Sequence, residues 1–279
     1  MTAHLRLLIL GVAASAVLAA CDRREAATTA PPAPGDETAA TAPADAQAPM
    51  TYESKNQFAS VKLTLPEPIK AQPDLHKATY AQATRDLRQF VEGAQADRTE
   101  AGGDHGLPPY EKQIDYFAGA ETDRLFSLQR RDFDYTGGAH PNTLYSAALW
   151  DKTAKRMVTP AELFARGADL SPLDRALCAA INTAKKARDP SAEPLTLGGK
   201  DWSCPRAAAT PFVLTPGTTA GKAGGLTFLI GPYQVGPYAE GAYQIAIPQS
   251  AFAQLIAGEY AGEFAGQPMR TGDVTPRQS

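Results

Sequence analysis

Apolar and polar residues alternate along several short segments of the chain, which is the pattern of half-buried β-strands. Residues 60–65 place Val61, Leu63 and Leu65 on one face and polar side chains on the other, and Pro66 follows directly. Further strands are predicted where the same alternation or a short apolar run recurs: residues 112–118, 124–135, 143–150, 226–230 and 242–247.

Four helices are predicted from apolar spacing or from capping residues. Residues 74–91 carry an apolar stripe at helical spacing, which indicates an amphipathic helix packed on a sheet. Thr159 and Ser171 each precede a proline and, three positions on, a carboxylate, so each is predicted to cap the start of a helix. A final helix is predicted at residues 248–258, with Phe252, Leu255 and Ile256 facing inward.

The order of these elements defines the fold class. Strands and helices do not alternate along the chain as a parallel sheet requires. We therefore expect an α+β fold, with antiparallel sheets and helices packed against them.

The segment "YTGGAHPN" connects two of the predicted strands, residues 124–135 and 143–150. Gly137 and Gly138 supply the positive φ angles that a tight connection needs, so the two strands are predicted to form an antiparallel hairpin.

The N-terminus predicts export and lipid anchoring. Residues 1–20 form a short apolar signal peptide that ends in Leu-Ala-Ala before Cys21, like the lipobox of bacterial lipoproteins. Residues 21–50 are rich in Ala, Pro and Thr and are predicted to be a disordered tether. The expected location is the periplasmic face of a bacterial membrane, with a lipid on Cys21; an ordinary signal peptide with a chance cysteine is the alternative.

Charge and cysteine content narrow the partners and the compartment. The net charge of −3 is near neutral and no basic stripe is present, which argues against a nucleic-acid partner. With Cys21 assigned to lipid, Cys178 and Cys204 remain as a pair in an oxidising compartment, and a disulfide is predicted. Two buried free thiols are the alternative.

No pattern of residues predicts a metal site, a cofactor or a catalytic group. His76, His105 and His140 are scattered, without His-x-x-x-His or Cys-x-x-Cys spacing, and no Gly-x-Ser-x-Gly is present. His140 has two interpretations: a turn residue whose ring bonds to the backbone, or to Asp134 or Tyr135, and a residue on a binding surface.

A second candidate surface lies between the last two predicted strands. Two Gly-Pro pairs stiffen this segment, which carries Tyr233, Tyr238 and Glu240. Tyrosines are common at interfaces, so the segment is either a contact surface or a cover whose rings pack over the sheet edge.

Three motifs together resemble a known family: "YTGGAHPN", a Trp-Asp turn before "TPAELF", and "FLIGPYQVGPYAEGAYQIAIP". They are similar to the paired extracellular domain of the lysozyme-sensing anti-sigma factor RsiV and the peptidoglycan deacetylase PdaC. The resemblance implies two associated halves, residues 51–150 and 151–268, followed by a loose tail at 269–279. It also implies docking to a lysozyme-like protein, whereas the deacetylase metal-ligand run is missing from this chain.

The expected function is a non-catalytic, membrane-anchored binding module for a cell-wall glycan or a lysozyme-like muramidase. The alternatives are an enzyme that modifies envelope polymers with His140 as acid or base, and a structural envelope lipoprotein. The sequence does not define an oligomeric state. The predicted contact residues are Tyr135, Gly137, Gly138, His140, Tyr233, Tyr238 and Glu240.

Overall fold

The structure is a computed structural model that describes residues 47–102 and 108–276. The predicted signal peptide, Cys21 and most of the predicted tether lie outside the described residues. The helices are α1 (Pro73–Glu100), α2 (Pro160–Leu163), α3 (Ser171–Arg188) and α4 (Gly258–Ala261). The strands are β1 (Thr51–Lys55), β2 (Ala59–Thr64), β3 (Tyr110–Glu121), β4 (Leu125–Tyr135), β5 (Asn142–Asp151), β6 (Arg156–Met157), β7 (Phe212–Pro216), β8 (Ala223–Ile230), β9 (Tyr243–Pro248) and β10 (Gly272–Asp273).

Strands β1 to β6 form one sheet in sequence order, and α1 packs on one of its faces. The predicted alternation in β2 is confirmed, because Val61 and Leu63 are buried in the core beneath α1 while Lys62 is exposed. The pairing of β2 with β3 is parallel, although the sequence predicted antiparallel sheets. Helix α1 is the reason: it carries the chain back across the sheet, so that β3 runs in the same direction as β2.

The predicted hairpin is confirmed. Strands β4 and β5 pair in antiparallel register from Leu125 with Asp151 to Asp134 with Asn142. The second sheet has the order β10-β9-β8-β7 and is antiparallel throughout, as expected for the strands predicted at residues 226–230 and 242–247.

The two sheets pack face to face, which joins the two halves of the described chain into one compact unit. Strand β8 is buried along its whole length, because the larger sheet covers one side of its sheet and α3 lies against β9 and β10. Gly119 allows β7 to approach β3: a Cβ at this position would collide with Ser127 Oγ and the Val213 side chain. The fold is therefore α+β, as predicted, in four layers from α1 through two sheets to α3.

A group of charged side chains also links the halves. Asp151, whose side chain is fully buried, accepts a hydrogen bond from Nε of Arg124 at 2.8 Å, and Arg124 reaches Glu259 at 3.0 Å. Glu263 accepts hydrogen bonds from Thr122 Oγ1 and the backbone N–H of Arg124. These contacts join the β3–β4 turn of the first half to α4 and the turn after it in the second.

The predicted disulfide is present. Cys178 of α3 is bonded to Cys204, with the Cα atoms 5.2 Å apart. The bond ties the irregular segment at residues 189–204 to α3.

Capping differs between the two predicted helix starts. Thr159 and Glu162 form a capping box, with the Thr159 backbone N–H donating to Glu162 at 2.7 Å. The second cap is wrong, because α3 begins at Ser171 itself and its N-cap is Leu170. The Asp174 carboxylate turns inward instead and accepts from the backbone N–H of Ala207 at 2.8 Å.

The predicted helix at residues 248–258 is also wrong. The segment forms two 3-10 turns, Gln249–Ala251 and Ala253–Leu255, although Phe252, Leu255 and Ile256 are buried as predicted. A continuous helix is excluded because residues 255 and 257 use their backbone groups to bond to residues 163–165.

The tail predicted to be loose beyond Met269 is ordered over part of its length. Strand β10 pairs with β9, and Asp273 receives Nε and Nη2 of Arg188 at 2.9 and 2.8 Å. An ion pair with α3 and backbone pairing together hold this short polar segment, which has little apolar surface of its own.

Candidate functional site: an aromatic cluster on two loops

The hairpin turn (residues 136–141) projects from the end of β4 and β5. Gly137 and Gly138 have φ angles of 96° and 104°, which only glycine adopts without strain. The Tyr135 hydroxyl donates to the Gly138 carbonyl at 2.9 Å and closes the turn from inside. Glycine and tyrosine thus fix the position from which the next side chain, His140, extends.

The Gly-Pro loop (residues 231–241) connects β8 and β9. Its first turn is closed by a hydrogen bond from the Gln234 backbone N–H to the Gly231 carbonyl, with Pro232 at the second position. Tyr233 occupies the third position with a φ of 66°, where type II turns normally carry glycine. A tyrosine in this left-handed conformation is strained by about 1–2 kcal/mol.

Three rings from these two segments meet at the surface and form what we call the aromatic cluster (His140, Tyr233 and Tyr238). The imidazole stacks on the Tyr238 ring, with centroids 3.9 Å apart and an interplanar angle of 8°. The Tyr233 hydroxyl lies 2.8 Å from His140 Nε2, and its ring centroid is 5.6 Å from that of Tyr238. Tyr233 is 50% exposed, so the cluster faces solvent.

The second nitrogen of the imidazole faces the backbone. His140 Nδ1 lies 3.4 Å from the Pro141 carbonyl oxygen, which can only accept. Both ring nitrogens of His140 therefore have an oxygen neighbour, the Pro141 carbonyl at Nδ1 and the Tyr233 hydroxyl at Nε2.

Charged groups beneath the Gly-Pro loop hold it in place. Nζ of Lys185, from α3, donates to the Val235 carbonyl and to the Glu240 carboxylate, both at 2.6 Å. The Tyr243 hydroxyl donates to the same carboxylate at 2.9 Å. Burial and the neighbouring Glu240 carboxylate raise the pKa of Tyr243 to about 12.

Arg188 secures the far end of the loop. Its Nη1 donates to the carbonyls of Glu240 and Ala242, and its guanidinium lies 3.6 Å from the Tyr243 ring centroid. Lys185 and Arg188 of α3 therefore hold the Gly-Pro loop from beneath and from its far end.

The structure brings three of the predicted contact residues together and gives the others different positions. His140, Tyr233 and Tyr238 form the aromatic cluster, while Tyr135, Gly137 and Gly138 support the turn below it. Glu240 does not join the cluster, because its carboxylate faces Lys185 and Tyr243.

The predicted partners of His140, which are Asp134 and Tyr135, do not contact its ring. Oδ1 of Asp134 lies 3.8 Å from Nζ of Lys112 instead. Asp134 therefore belongs to the contacts of the six-stranded sheet, and Tyr135 to those of the hairpin turn.

The arrangement offers ring faces for stacking and polar atoms for hydrogen bonding. Within the described residues, neither ring nitrogen of His140 contacts a carboxylate. Across residues 47–102 and 108–276, no group of three or more His, Cys, Asp or Glu side chains is placed to hold a metal ion. In the same ranges, no helix is long and apolar enough to cross a bilayer.

Sequence reasoning missed a cleft beside the Gly-Pro loop. Its walls are the loop on one side and the disulfide-linked segment, with Trp202, on the other. A tryptophan among glycines and charged residues, in "GGKDWSC", was the available signal.

Fold and site together define an α+β module of two joined halves with an exposed aromatic cluster. Residues 52–143 match the family model described as Deacetylase PdaC, and residues 161–250 match Protein of unknown function (DUF3298). The two models match successive parts of the chain, the PdaC model first and the DUF3298 model second, each over about a third of its length.

Two solved structures are similar to this chain, and the one with the higher TM-score supports the fold. A DUF3298 family protein from Pseudomonas aeruginosa PAO1 has a TM-score of 0.52 at 16% identity, over 80% of this chain and 99% of that one. A DUF3298 family member from Bacteroides fragilis NCTC 9343 gives 0.47 at 18% identity, over 74% and 88%. No significant match is found among curated proteins.

Proposed function

We propose that this chain is a non-catalytic binding module of the bacterial cell envelope, for a cell-wall glycan or a lysozyme-like muramidase. The observation that carries the proposal is the exposed aromatic cluster, in which His140 and Tyr238 stack and Tyr233 is held in a strained conformation. Strain of this kind persists where the surrounding structure enforces it, and it is concentrated at functional sites.

The rigidity of both segments favours binding. Tyr135 closes the hairpin turn, and Lys185 and Arg188 hold the Gly-Pro loop. Rings that are already ordered lose little conformational freedom when a partner covers them, which lowers the cost of association. Tyrosine and histidine also combine an apolar ring with a polar tip, as contact residues at interfaces do.

The surroundings of His140 favour binding over acid–base catalysis. A general acid or base is normally held by a second group, most often a carboxylate, that orients the ring. Here the two ring nitrogens contact the Tyr233 hydroxyl and the Pro141 backbone carbonyl.

The proposal includes a lipid anchor at Cys21 and a location on the periplasmic face of the membrane. The signal-like residues 1–20 and the Leu-Ala-Ala-Cys sequence support it. Several acyl chains on one cysteine would give stable anchoring, whereas a single chain would not.

Retention on purified peptidoglycan and inhibition of a muramidase test the two ligands separately. His140→Ala, Tyr233→Ala and Tyr238→Ala should each weaken one of these activities about ten-fold or more, as expected for loss of a central aromatic contact. Phe117→Ala is the matched control, since Phe117 is 44% exposed and lies outside the cluster.

Two outcomes would overturn the proposal. One is the absence of binding to either target at tens of micromolar, and the other is binding that none of the three substitutions changes. Release of soluble muropeptide products would show that the chain is an enzyme acting on envelope polymers and not a binding module.

A further inference from the structure

The cleft beside the Gly-Pro loop has a volume of about 350 Å³. This volume lies at the lower end of the range for small-molecule sites, so the cleft fits one or two rings and not a folded protein. The lining residues come from the end of α3, the disulfide-linked segment and the Gly-Pro loop.

One wall of the cleft carries an open indole. Trp202 is 38% exposed, whereas the other tryptophan of the chain, Trp150, is 8% exposed and belongs to the core beneath α1. Pro194 and Pro237 also line the cleft, so its walls offer flat apolar surface. A large aromatic left open to water inside a concavity is the arrangement expected of a stacking platform.

Charged side chains surround this platform, and three of them have no partner in the described part of the chain. Within the described residues, Glu193, Lys200 and Asp201 make no hydrogen bond or ion pair, and all three are exposed to solvent. Lys185 and Glu240 neutralise each other at 2.6 Å. Of the remaining lining groups, Lys200 stands against three carboxylates, those of Asp189, Glu193 and Asp201, so the cleft has a net charge of −2.

The cleft is built to keep its shape. The disulfide at Cys204 follows Trp202 by two residues, and the Asn182 side chain bonds to both backbone groups of Leu195, at 2.7 and 2.9 Å. Gly199 packs against the Trp202 carbonyl oxygen, with no room for a Cβ. Both walls are therefore fixed to α3.

We propose that this cleft is a saccharide subsite, in which the indole of Trp202 stacks on the apolar face of a sugar ring and Asp201, Glu193 and Lys200 bond to its hydroxyl groups. A sugar combines the two features that the walls require, an apolar ring face and polar groups around the ring edge. The net charge favours neutral or amine-bearing sugars over anionic ones.

The inference rests on the proposed function, because it makes the ligand a glycan. Pro237 lines the cleft, and the next residue, Tyr238, belongs to the aromatic cluster. A glycan chain could therefore contact both surfaces through one loop.

Titration of the full-length protein with neutral N-acetylglucosamine oligomers, by calorimetry and tryptophan fluorescence, tests the subsite. The fluorescence change should come from Trp202, since Trp150 is buried. We expect Trp202→Ala to raise the dissociation constant at least ten-fold, Trp202→Phe to retain part of the affinity, and Asp201→Asn to raise it about three-fold. Glucosamine oligomers should bind at least as well at low salt, and oligogalacturonate should not bind.

Absence of oligomer binding at millimolar concentration, or an unchanged affinity in Trp202→Ala with an unchanged melting temperature, would overturn the subsite. Its failure is separable from that of the proposed function. If Tyr238→Ala abolishes retention on peptidoglycan or muramidase inhibition while Trp202→Ala does not alter oligomer binding, only the subsite fails. If Trp202→Ala alone reduces oligomer binding and the cluster variants change nothing, the subsite stands and the cluster loses its role.

Discussion

The imidazole of His140 lies flat against the phenol ring of Tyr238, with 3.9 Å between the ring centroids and 8° between the planes. His140 belongs to the hairpin of the six-stranded sheet, and Tyr238 to a loop of the four-stranded sheet. The stack therefore joins the two halves at the surface, in addition to their buried contacts. Such a pair contributes about 1 kcal/mol.

Substitution of Tyr233 should separate stability from binding. Because its φ is 66°, Tyr233→Gly removes the strain of a left-handed side chain, whereas Tyr233→Ala retains it. Tyr233→Gly should be more stable than Tyr233→Ala by about 1 kcal/mol in urea unfolding, the reverse of the usual order. Both variants should lose binding. An alanine variant as stable as the glycine variant would show that the turn changes conformation when the ring is removed.

Glu240→Gln should strongly destabilise the protein. It leaves the ammonium of Lys185, whose side chain is 5% exposed, without its counter-charge. Removing the charge that faces a buried ammonium costs about 3 kcal/mol, to be measured as a fall in the free energy of unfolding. The double variant Lys185→Met with Glu240→Gln should recover a large part of that loss. Equal loss in the single and double variants would mean that the pair contributes through shape alone.

Stability should decrease in acid through Asp151. Burial raises the pKa of this carboxyl, but the hydrogen bonds from Arg124 and from the backbone of Ala154 and Thr153 outweigh it, and the pKa lies below its usual value. Because the native pKa is lowered, the Asp151 carboxylate stabilises the folded protein fully at pH values above the unfolded pKa, which is about 3.9. This stabilisation is lost as the pH falls through the native pKa.

Asp151→Asn tests this assignment. The variant should lose about 2 kcal/mol at pH 7, since hydrogen bonds to a charged group disappear, and its stability should fall less steeply below pH 4. Urea unfolding at pH 7 and at pH 3 measures both effects. If the variant loses as much stability between pH 7 and pH 3 as the unaltered protein does, the pH dependence comes from other carboxylates.

Reduction of the disulfide should lower stability. Cys178 and Cys204 are 26 residues apart, and closing such a loop stabilises by about 3 kcal/mol in the chain-entropy model. The melting temperature should fall in dithiothreitol and in Cys178→Ser with Cys204→Ser, and the two decreases should agree. A non-reducing digest should contain the linked peptide; two separately alkylated cysteines would contradict the bond.

Lipidation at Cys21 should govern fractionation. Cys21→Ser should leave the precursor uncleaved or release the protein from membranes, because neither cleavage nor acylation can follow without the thiol. Membrane fractionation with mass spectrometry of the N-terminal peptide distinguishes the forms. A serine variant that is processed and still requires detergent would contradict the anchor.

Local chemistry in the sequence determined much of the architecture. Alternation defined β2 and the β4–β5 hairpin, since each apolar side chain must find the same face of a strand. The glycine pair fixed the turn that carries His140, and Thr159 with Glu162 fixed a helix start, because the groups involved lie within a few residues of each other. The disulfide followed from pairing the two cysteines left after Cys21.

Long-range contacts decided the rest. Residues 248–258 have helical spacing, but their backbone groups bond to residues 163–165, and the helix gives way to short turns. Asp174 has the position of a capping residue, yet its carboxylate accepts a hydrogen bond from a backbone N–H that lies 33 residues later in the chain. A local pattern specifies which side chains are buried, and it leaves open what covers them.

The site shows the same division. The sequence by itself marked His140, Tyr233 and Tyr238 as candidates on two separate loops, because glycine and proline restrict those loops locally. Only the packing of the two sheets decided that His140 and Tyr233 would meet across 93 residues. It also turned Glu240 toward Lys185 and placed Trp202 across a cleft from Pro237, since such neighbours depend on how the sheets and α3 pack and not on spacing along the chain.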